Sequence, residues 1–314
     1  MPRLTRYLAA QVRADLMKKM VFVAGPRQVG KTTFARSLPG ARAGYLNWDV
    51  PADRQRILSR ALPVGPFWVF DELHKFRGWR NYLKGLWDGR PDGQRVLVTG
   101  SARLDFYRFG GDSLQGRYHL LRMHPLSVAE LGVSSPADWR ALRILGGFPE
   151  PFFGGSAREA RRWSTEHRNL LIRDELVSLE RVDDVGRLEL LALRLPELVG
   201  APLSINSLRE DLEVSHKTLT RWVTLLERLY ALVLIHPFGS PRIRAIKKSA
   251  KHYHLDWRWP LRPGRRSRTS WSEGHASSGN GPWQRGKSRH ERAMSPDACC
   301  CRCGPRLRCG RRLP

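Results

Sequence analysis

The stretch VFVAGPRQVGKTTFARSL, residues 21–38, decides the fold of the N-terminal part of this chain. Its apolar start is typical of a buried strand, and a helical pattern follows the glycine-bounded loop. The loop fits G-x-x-x-x-G-K-[ST], with Gly25, Gly30, Lys31 and Thr32 at the fixed positions. A strand before the loop and a helix after it are the context that separates a phosphate-binding loop from a chance match.

Each residue type in this loop suits a bound phosphate chain. Gly25 and Gly30 permit backbone angles and close approaches that a Cβ would forbid. The loop N–H groups and the helix N-terminus bind anions, Lys31 would reach the β- and γ-phosphates, and the Thr32 hydroxyl would bind Mg²⁺. ATP and Mg²⁺ are therefore the predicted ligands. The predicted ATP-binding residues are Gly25, Pro26, Arg27, Gln28, Val29, Gly30, Lys31, Thr32 and Thr33.

A second apolar run, FWVFDE at residues 67–72, ends in two carboxylates. Asp71 is predicted to hold Mg²⁺ together with Thr32, and Glu72 to polarise the attacking water as a general base. The alternative is a buried strand that ends in two acids by chance, which the spacing of roughly 40 residues from the loop disfavours. A carboxylate placed to activate water favours hydrolysis over transfer to another substrate.

Two further polar residues are candidates for catalysis. Ser101, or alternatively Thr99, ends the run VLVTGS and would hydrogen-bond the γ-phosphate or the water, although a simple turn is the competing interpretation. Arg117, in SLQGRYHLL, would act as an arginine finger on a neighbouring subunit's nucleotide in a homo-oligomer. A solvated surface arginine is the alternative.

The hydrophobic pattern predicts an open α/β sheet with ligands at the C-terminal ends of its parallel strands. Residues 1–20 are predicted as a helix, 146–155 as a turn-rich end of the core, and 157–199 as two or more helices. The predicted strands are MVFVAG (20–25), AGYLNWD (43–49), FWVFDE (67–72), RVLVTGS (95–101) and YHLLRM (118–123).

Residues 203–238 read as a helix, a tight turn, a longer helix and a short strand. Ser215 is the predicted N-cap of the second helix. Near its N-terminus, Lys217, Thr218, Thr220 and Arg221 would meet DNA bases or phosphates. The competing interpretation is a protein-contact module, because four acids dilute the positive face. These acids are Glu210, Asp211, Glu213 and Glu227.

Net charge and cysteines concentrate at the C-terminus. The chain has 314 residues and a net charge of +26, of which +11 lies in residues 258–314. All five cysteines also lie there, in a spacing that does not suit zinc, and the composition favours disorder. The sequence contains neither a run long enough to span a membrane nor a secretory signal, so a cytoplasmic location without membrane contact is expected.

Six segments in fixed order resemble the prokaryotic AAA-type ATPases that carry a C-terminal domain of unknown function. The resemblance covers about residues 1–256 and implies a P-loop core, a winged-helix region and, usually, a nuclease-like domain. The segments are GPRQVGKTT, YLNWD, FDELHK, TGSARL, SLQGRYHLLRMHPLSVAEL and GGFPE.

The resemblance assigns the same roles to the site residues. Lys31 and Thr32 match its phosphate-loop positions, and Asp71 and Glu72 its metal and water-activating positions. Ser101 falls in its sensor segment and Arg117 at a recurring Gly-Arg. HPLS with Glu130 matches a segment to which the resemblance gives no role. After about residue 256 the chain departs from the family, and the Arg/Gly/Pro/Ser/Cys mixture there suggests a frameshifted or degenerate tail.

The predicted fold class is α/β, a P-loop NTPase followed by a helical winged-helix domain and a disordered tail. The predicted domains are an ATPase core (1–150), a helical linker (151–200), a winged helix (201–256) and a basic tail (257–314). The predicted function is a Mg²⁺-dependent ATPase that switches a DNA- or protein-contact domain. The alternatives are an ATP-binding DNA- or partner-binding protein without hydrolysis, and a P-loop small-molecule kinase.

Overall fold

The computed structural model describes residues 4–101, 104, 114–176, 184–237 and 249–259. Its first part is a parallel five-stranded sheet in the order β2-β3-β4-β1-β5. All five predicted strands and the α/β class are confirmed. The strands are β1 (Met20–Ala24), β2 (Tyr45–Asn47), β3 (Phe67–Asp71), β4 (Arg95–Thr99) and β5 (Tyr118–Arg122).

Helices cover both faces of this sheet, which explains the nearly continuous apolar strands. Successive side chains of β1 alternate between two cores: Val21 and Val23 pack with α1 and α2, whereas Met20 and Phe22 pack with α3 and α4. The helices are α1 (Ala9–Asp15), α2 (Lys31–Ser37), α3 (Pro51–Leu58) and α4 (Trp79–Asp88), with a 3₁₀ turn at Leu73–Lys75.

The position of β4 brings the chemically informative strand ends together. It lies between β1 and β3, and Thr99 at its end is in register with Val23 on one side and Asp71 on the other. The phosphate loop, the paired acids and the segment leading to Ser101 therefore leave the sheet at the same edge.

The N-terminal helix is shorter than predicted. α1 begins at Ala9 and ends at Asp15, although residues 1–20 have helical spacing throughout. The residues before it are engaged elsewhere, because the side chain of Arg6 and the backbone N–H of Tyr7 both donate to Glu130. A tertiary contact thus overrides the local pattern.

A helical region follows the sheet. The segment predicted as turns contains α7, which Pro149 begins with a preset φ and Gly155 ends at φ 71°. Phe148, just before it, packs into the core on the α1 side. The helices are α5 (Val128–Leu131), α6 (Pro136–Leu145), α7 (Pro149–Gly154), α8 (Ala157–Asn169) and α9 (Val185–Arg194); a π-helical turn (Leu170–Leu176) follows α8 and a 3₁₀ turn (Leu195–Leu198) follows α9.

The next elements are those predicted for residues 203–238. α10 (Ile205–Asp211) and α11 (His216–Arg228) precede β6 (Leu232–Ile235), which pairs antiparallel with β7 (Lys251–His254). Ser215 caps α11 by accepting a hydrogen bond from the Thr218 N–H. Six apolar side chains of this segment are buried: Leu208, Leu212, Leu219, Trp222, Leu225 and Leu226.

The predicted tail begins later than residue 257. Arg258 and Trp259 are buried. The Arg258 Nε donates to Asp256 at 2.9 Å, and Asp256 also accepts from the Ser164 hydroxyl at 2.5 Å. Residues 260–314, with the five cysteines and most of the predicted disorder, lie outside the described residues. Among those that are described, no helix is both long enough and apolar enough to cross a membrane.

Candidate functional site

The loop after β1 contains two residues with left-handed backbone angles. Gln28 and Gly30 are left-handed, at φ 61° and 93°, and α2 begins at Lys31. At Gly25 an added Cβ would lie 2.3 Å from the Met123 carbonyl oxygen, inside van der Waals contact with the backbone that follows β5. Gly25 therefore permits the close approach of two chain segments.

Gly25→Ala is expected to destabilise the protein by about 3 kcal/mol, at the upper end of the usual cost of overpacking, because the obstructing atom is backbone. Denaturant unfolding would measure this, with Gly154→Ala as the control, since a Cβ there meets only an ordinary contact at 3.9 Å. Equal stability of the two variants would contradict the role assigned to Gly25.

Lys31 lies inside the curve of the loop. Its side chain is buried, and its Nζ donates to the carbonyl oxygens of Gly25 at 3.1 Å and Pro26 at 2.7 Å. An ammonium group held by two loop carbonyls suits a phosphate, because the phosphate oxygens would accept hydrogen bonds from the same N–H groups of Lys31.

The Asp71 side chain accepts hydrogen bonds from three hydroxyl groups of the site. It is buried, and its carboxylate accepts from the hydroxyls of Thr32 (2.6 Å), Thr99 (2.6 Å) and Tyr45 (2.7 Å). Burial, and after it the neighbouring Asp71 carboxylate, raises the pKa of Tyr45, so its hydroxyl keeps the proton that it donates. The Thr32 and Asp71 oxygens are adjacent, which fits the hydroxyl-plus-carboxylate pair that holds Mg²⁺ in P-loop proteins.

Glu72 follows in a left-handed conformation at φ 57°. Its Oε2 lies 3.3 Å from the Lys75 Nζ and 3.8 Å from the His74 Nε2, while Lys75 also contacts Asp49 at 2.5 Å. Burial raises the pKa of the Glu72 carboxyl, and the Lys75 ammonium opposes that rise. A raised pKa makes the carboxylate a stronger base toward water.

Ser101 and Thr99, the two candidates at the end of β4, occupy different places. Thr99 is bonded to Asp71, whereas the Ser101 hydroxyl lies 3.4 Å from the His74 Nε2 and lines the same cavity as Lys31 and Glu72. The sequence alone left both candidates open; the geometry places Ser101 at the cavity.

The cavity between these residues measures about 600 Å³, within the range of small-molecule sites. One wall was not foreseen, because Pro149 and Glu150 come from α7 rather than from the sheet. The lining residues are Arg27, Gln28, Gly30, Lys31, Thr32, Thr33, Asn47, Asp49, Asp71, Glu72, His74, Lys75, Ser101, Pro149 and Glu150.

Arg117 does not belong to this cavity. It precedes β5 at the N-terminal edge of the sheet, roughly 16 Å along the strand from the phosphate loop, and pairs with Asp88 at 2.9 Å. Its predicted role in a neighbouring copy's site stays a prediction.

Matches to family models divide the chain. Residues 17–132 match the model of the AAA domain. This part of the chain is similar in sequence to AAA-type P-loop ATPase domains. Residues 136–257 match a domain of unknown function, DUF8612. The helices and strands after α5 lie in this second matched region, which we call the second unit.

Two relatives and a solved structure match most of the chain. The uncharacterized proteins Rv2008c of Mycobacterium tuberculosis and Mb2031c of Mycobacterium bovis are each 27% identical over 257 residues, covering 80% of this chain and 57% of theirs. The chain thus spans a little over half the length of these curated relatives. The Walker-type ATPase PABY2304 of Pyrococcus abyssi has a TM-score of 0.51 and 15% identity over 82% of this chain and 95% of its own, which shows the shared fold alone.

The second unit contacts the phosphate loop of the AAA domain directly. The Nε2 of His167, on α8, lies 3.4 Å from the Arg27 carbonyl oxygen, and the ring stacks on Trp163 with centroids 4.6 Å apart. Burial lowers the pKa of His167 to about 4, so the ring is neutral at pH 7 and its Nε2–H donates to the carbonyl. Trp163 also donates to Glu150 at the cavity wall, at 3.1 Å.

Sequence reasoning missed Tyr45, His74, Lys75, Glu150 and His167. Tyr45, His74, Lys75 and Glu150 lie inside segments of the family resemblance, so their position was the only signal available. His167 reaches the site through the packing of α8, for which no local pattern exists.

Proposed function

We propose that this chain is a Mg²⁺-dependent ATPase whose nucleotide state is transmitted to the unit formed by residues 136–257. The observation that carries the proposal is the convergence of Lys31, the Thr32–Asp71 pair and Glu72 on one cavity. These are the groups that phosphate binding, metal binding and water activation require.

Each group would have a separate task. Lys31 and the loop N–H groups would hold the β- and γ-phosphates, and Glu72 would accept a proton from the attacking water. Ser101 would orient the γ-phosphate or that water. Mg²⁺, held by Thr32 and Asp71, would offset the charge of the phosphates. Tyr45 and Thr99 would orient Asp71 by donating hydrogen bonds to its carboxylate.

Hydrolysis is favoured over phosphoryl transfer to a small molecule because a carboxylate, Glu72, lines the cavity on the Asp71 side. A kinase would need a site for the acceptor beside the γ-phosphate. Release of phosphate from ATP with no added acceptor is the measurement that tests this function, and transfer to a small molecule without phosphate release would overturn it.

Arg117 would serve only in an oligomer, as a finger directed at the nucleotide of an adjacent copy. Its place at the opposite edge of the sheet is compatible with action in trans and excludes action on the nucleotide of its own chain.

The link to the second unit would run through the phosphate loop. The His167 ring touches the backbone of Arg27, and α8 is tied to the end of that unit through Ser164 and Asp256. If nucleotide binding changes the backbone of the phosphate loop, α8 would therefore be the first element of the second unit to be displaced, through the contact of His167 with Arg27.

The unit's own contact surface is proposed to be a winged helix that binds DNA. α10, α11 and the β6–β7 pair have the required order, and Lys217 and Arg221 are exposed near the start of α11. Three of the four acids that dilute this face are themselves paired with arginines, at 3.4–3.5 Å: Glu210 with Arg209, Asp211 with Arg194, and Glu213 with Arg187. Their paired charges weaken the objection that they would repel phosphates.

Lys217→Glu with Arg221→Glu is expected to weaken DNA binding uniformly across sequences, since phosphate contacts carry no sequence information. The slope of log affinity against log salt should flatten by about two units, one per lost contact. The full chain is used, because ending it at Asp256 would remove the buried Arg258 and Trp259.

The matched control is Arg158→Glu with Arg161→Glu, which changes the net charge equally on exposed positions of α8. If both double variants lose DNA affinity equally, the binding is a general charge effect. The unit would then contact a protein partner instead of DNA.

A further inference from the structure

Arg6 is a buried arginine that holds the phosphate loop from outside the cavity. Its three nitrogens donate to two segments that are distant in sequence. In the segment after β5, Nε donates to the Glu130 Oε1 at 2.8 Å and one terminal nitrogen to the His124 carbonyl at 2.5 Å; in the phosphate loop, the other terminal nitrogen donates to the Val29 carbonyl at 2.9 Å. One guanidinium thus joins the residues before α1, the phosphate loop and the segment after β5.

Glu130 anchors this arginine. Its Oε1 accepts from the Arg6 Nε and the Tyr7 N–H, and its Oε2 accepts from the Ser127 N–H and hydroxyl at 2.8 Å each. Burial alone would raise the pKa of the Glu130 carboxyl, but the hydrogen bonds from Ser127, Tyr7 and Arg6 outweigh it and lower that pKa. The carboxylate is therefore charged, and Arg6 is paired with a full negative charge.

The position of the Val29 carbonyl fixes the direction of the next N–H. A trans peptide is planar, so its C=O and its N–H point in opposite directions. With the Val29 oxygen bound by Arg6, the Gly30 N–H of the same peptide points away from Arg6, and Gly30 itself lines the cavity. With the peptide in this orientation, Gly30 has a left-handed φ of 93°.

We propose that Arg6, anchored by Glu130, is a positioning residue that holds the Val29–Gly30 peptide in the orientation that binds phosphate. We assign Arg6 no contact with phosphate, because it binds Glu130 and two backbone carbonyls and is not among the residues that line the cavity. The role rests on the proposed ATP-binding function, and it gives a task to the Pro-Leu-Ser-x-x-Glu segment that ends in Glu130.

The test compares two buried arginines. Arg6→Met is expected to weaken equilibrium binding of MgATP by about tenfold or more, the scale of losing a charge-assisted hydrogen bond that orients a ligand group. Arg258→Met is the matched control, because Arg258 also pairs with a carboxylate and donates to a backbone carbonyl, that of Ala160, without touching the loop. Both variants should lose thermal stability, but only Arg6→Met should lose affinity beyond about threefold.

Arg6→Lys and Glu130→Gln keep the test decisive if Arg6→Met does not fold. Arg6→Lys retains the charge but cannot bind all three partners, so intermediate affinity is expected, and Glu130→Gln should weaken MgATP binding in the same direction. Wild-type affinity in folded Arg6 variants overturns the positioning role alone. Failure of the wild-type chain to bind MgATP would overturn the proposed function itself, and the two failures are thereby distinguished.

Discussion

Lys31→Ala is expected to abolish tight binding of ATP, with a loss of affinity of about a hundredfold or more. The Lys31 ammonium is buried at the centre of the loop, 2.7 Å from the Pro26 carbonyl and 3.1 Å from that of Gly25. A phosphate chain in the cavity would meet loop N–H donors and the Lys31 charge, while Arg27 and Lys75 also line the cavity. Removal of a buried charge partner costs far more than removal of a surface charge.

Equilibrium titration with MgATP measures this effect, and Lys18→Ala is the control, because it removes an exposed lysine of equal charge. Circular dichroism of both variants checks that the fold is retained. Micromolar binding by folded Lys31→Ala would show that the loop is not the nucleotide site.

Glu72→Gln should keep ATP binding and slow hydrolysis by about 10² or more, the usual scale for loss of a general base. The amide preserves the shape of the side chain next to Lys75 and His74 but cannot accept a proton from water. Binding and turnover should therefore separate in this variant, unlike in Lys31→Ala.

Phosphate release under single-turnover conditions and MgATP affinity are measured on the same preparation. Glu166→Gln, an exposed substitution on α8 with the same loss of charge, should leave both unchanged. Turnover of Glu72→Gln at the wild-type rate would remove Glu72 from the mechanism and leave a protein that hydrolyses ATP by another group.

The strands and the main site residues were predictable because their signals are local. A strand buried on both faces needs a continuous apolar run, and parallel strands end at one edge, so polar residues after such runs converge. Lys31, Asp71, Glu72 and Ser101 were found in this way, and the structure brings all four to one cavity.

Other features depend on contacts that no local pattern records. The helix predicted over residues 1–20 is shorter in the structure because Arg6 and Tyr7 bind Glu130. Thr99 was a candidate ligand of the γ-phosphate, but its hydroxyl donates to Asp71 on the neighbouring strand. Arg117 belongs to the Gly-Arg pair of the family resemblance, but that pair does not indicate at which end of the sheet the residue lies.

The sequence by itself determined a phosphate loop between a strand and a helix, a parallel sheet and an amphipathic helix pair, because backbone geometry and hydrophobic burial act over a few residues. Only the tertiary structure decided what holds that loop. Arg6 and Glu130 are 124 residues apart and His167 is 140 residues from Arg27, yet both pairs meet around the loop. Such contacts form because buried carbonyls and charges need hydrogen-bond partners, which packing can bring from distant parts of the chain. A local sequence pattern does not show which distant residues will meet.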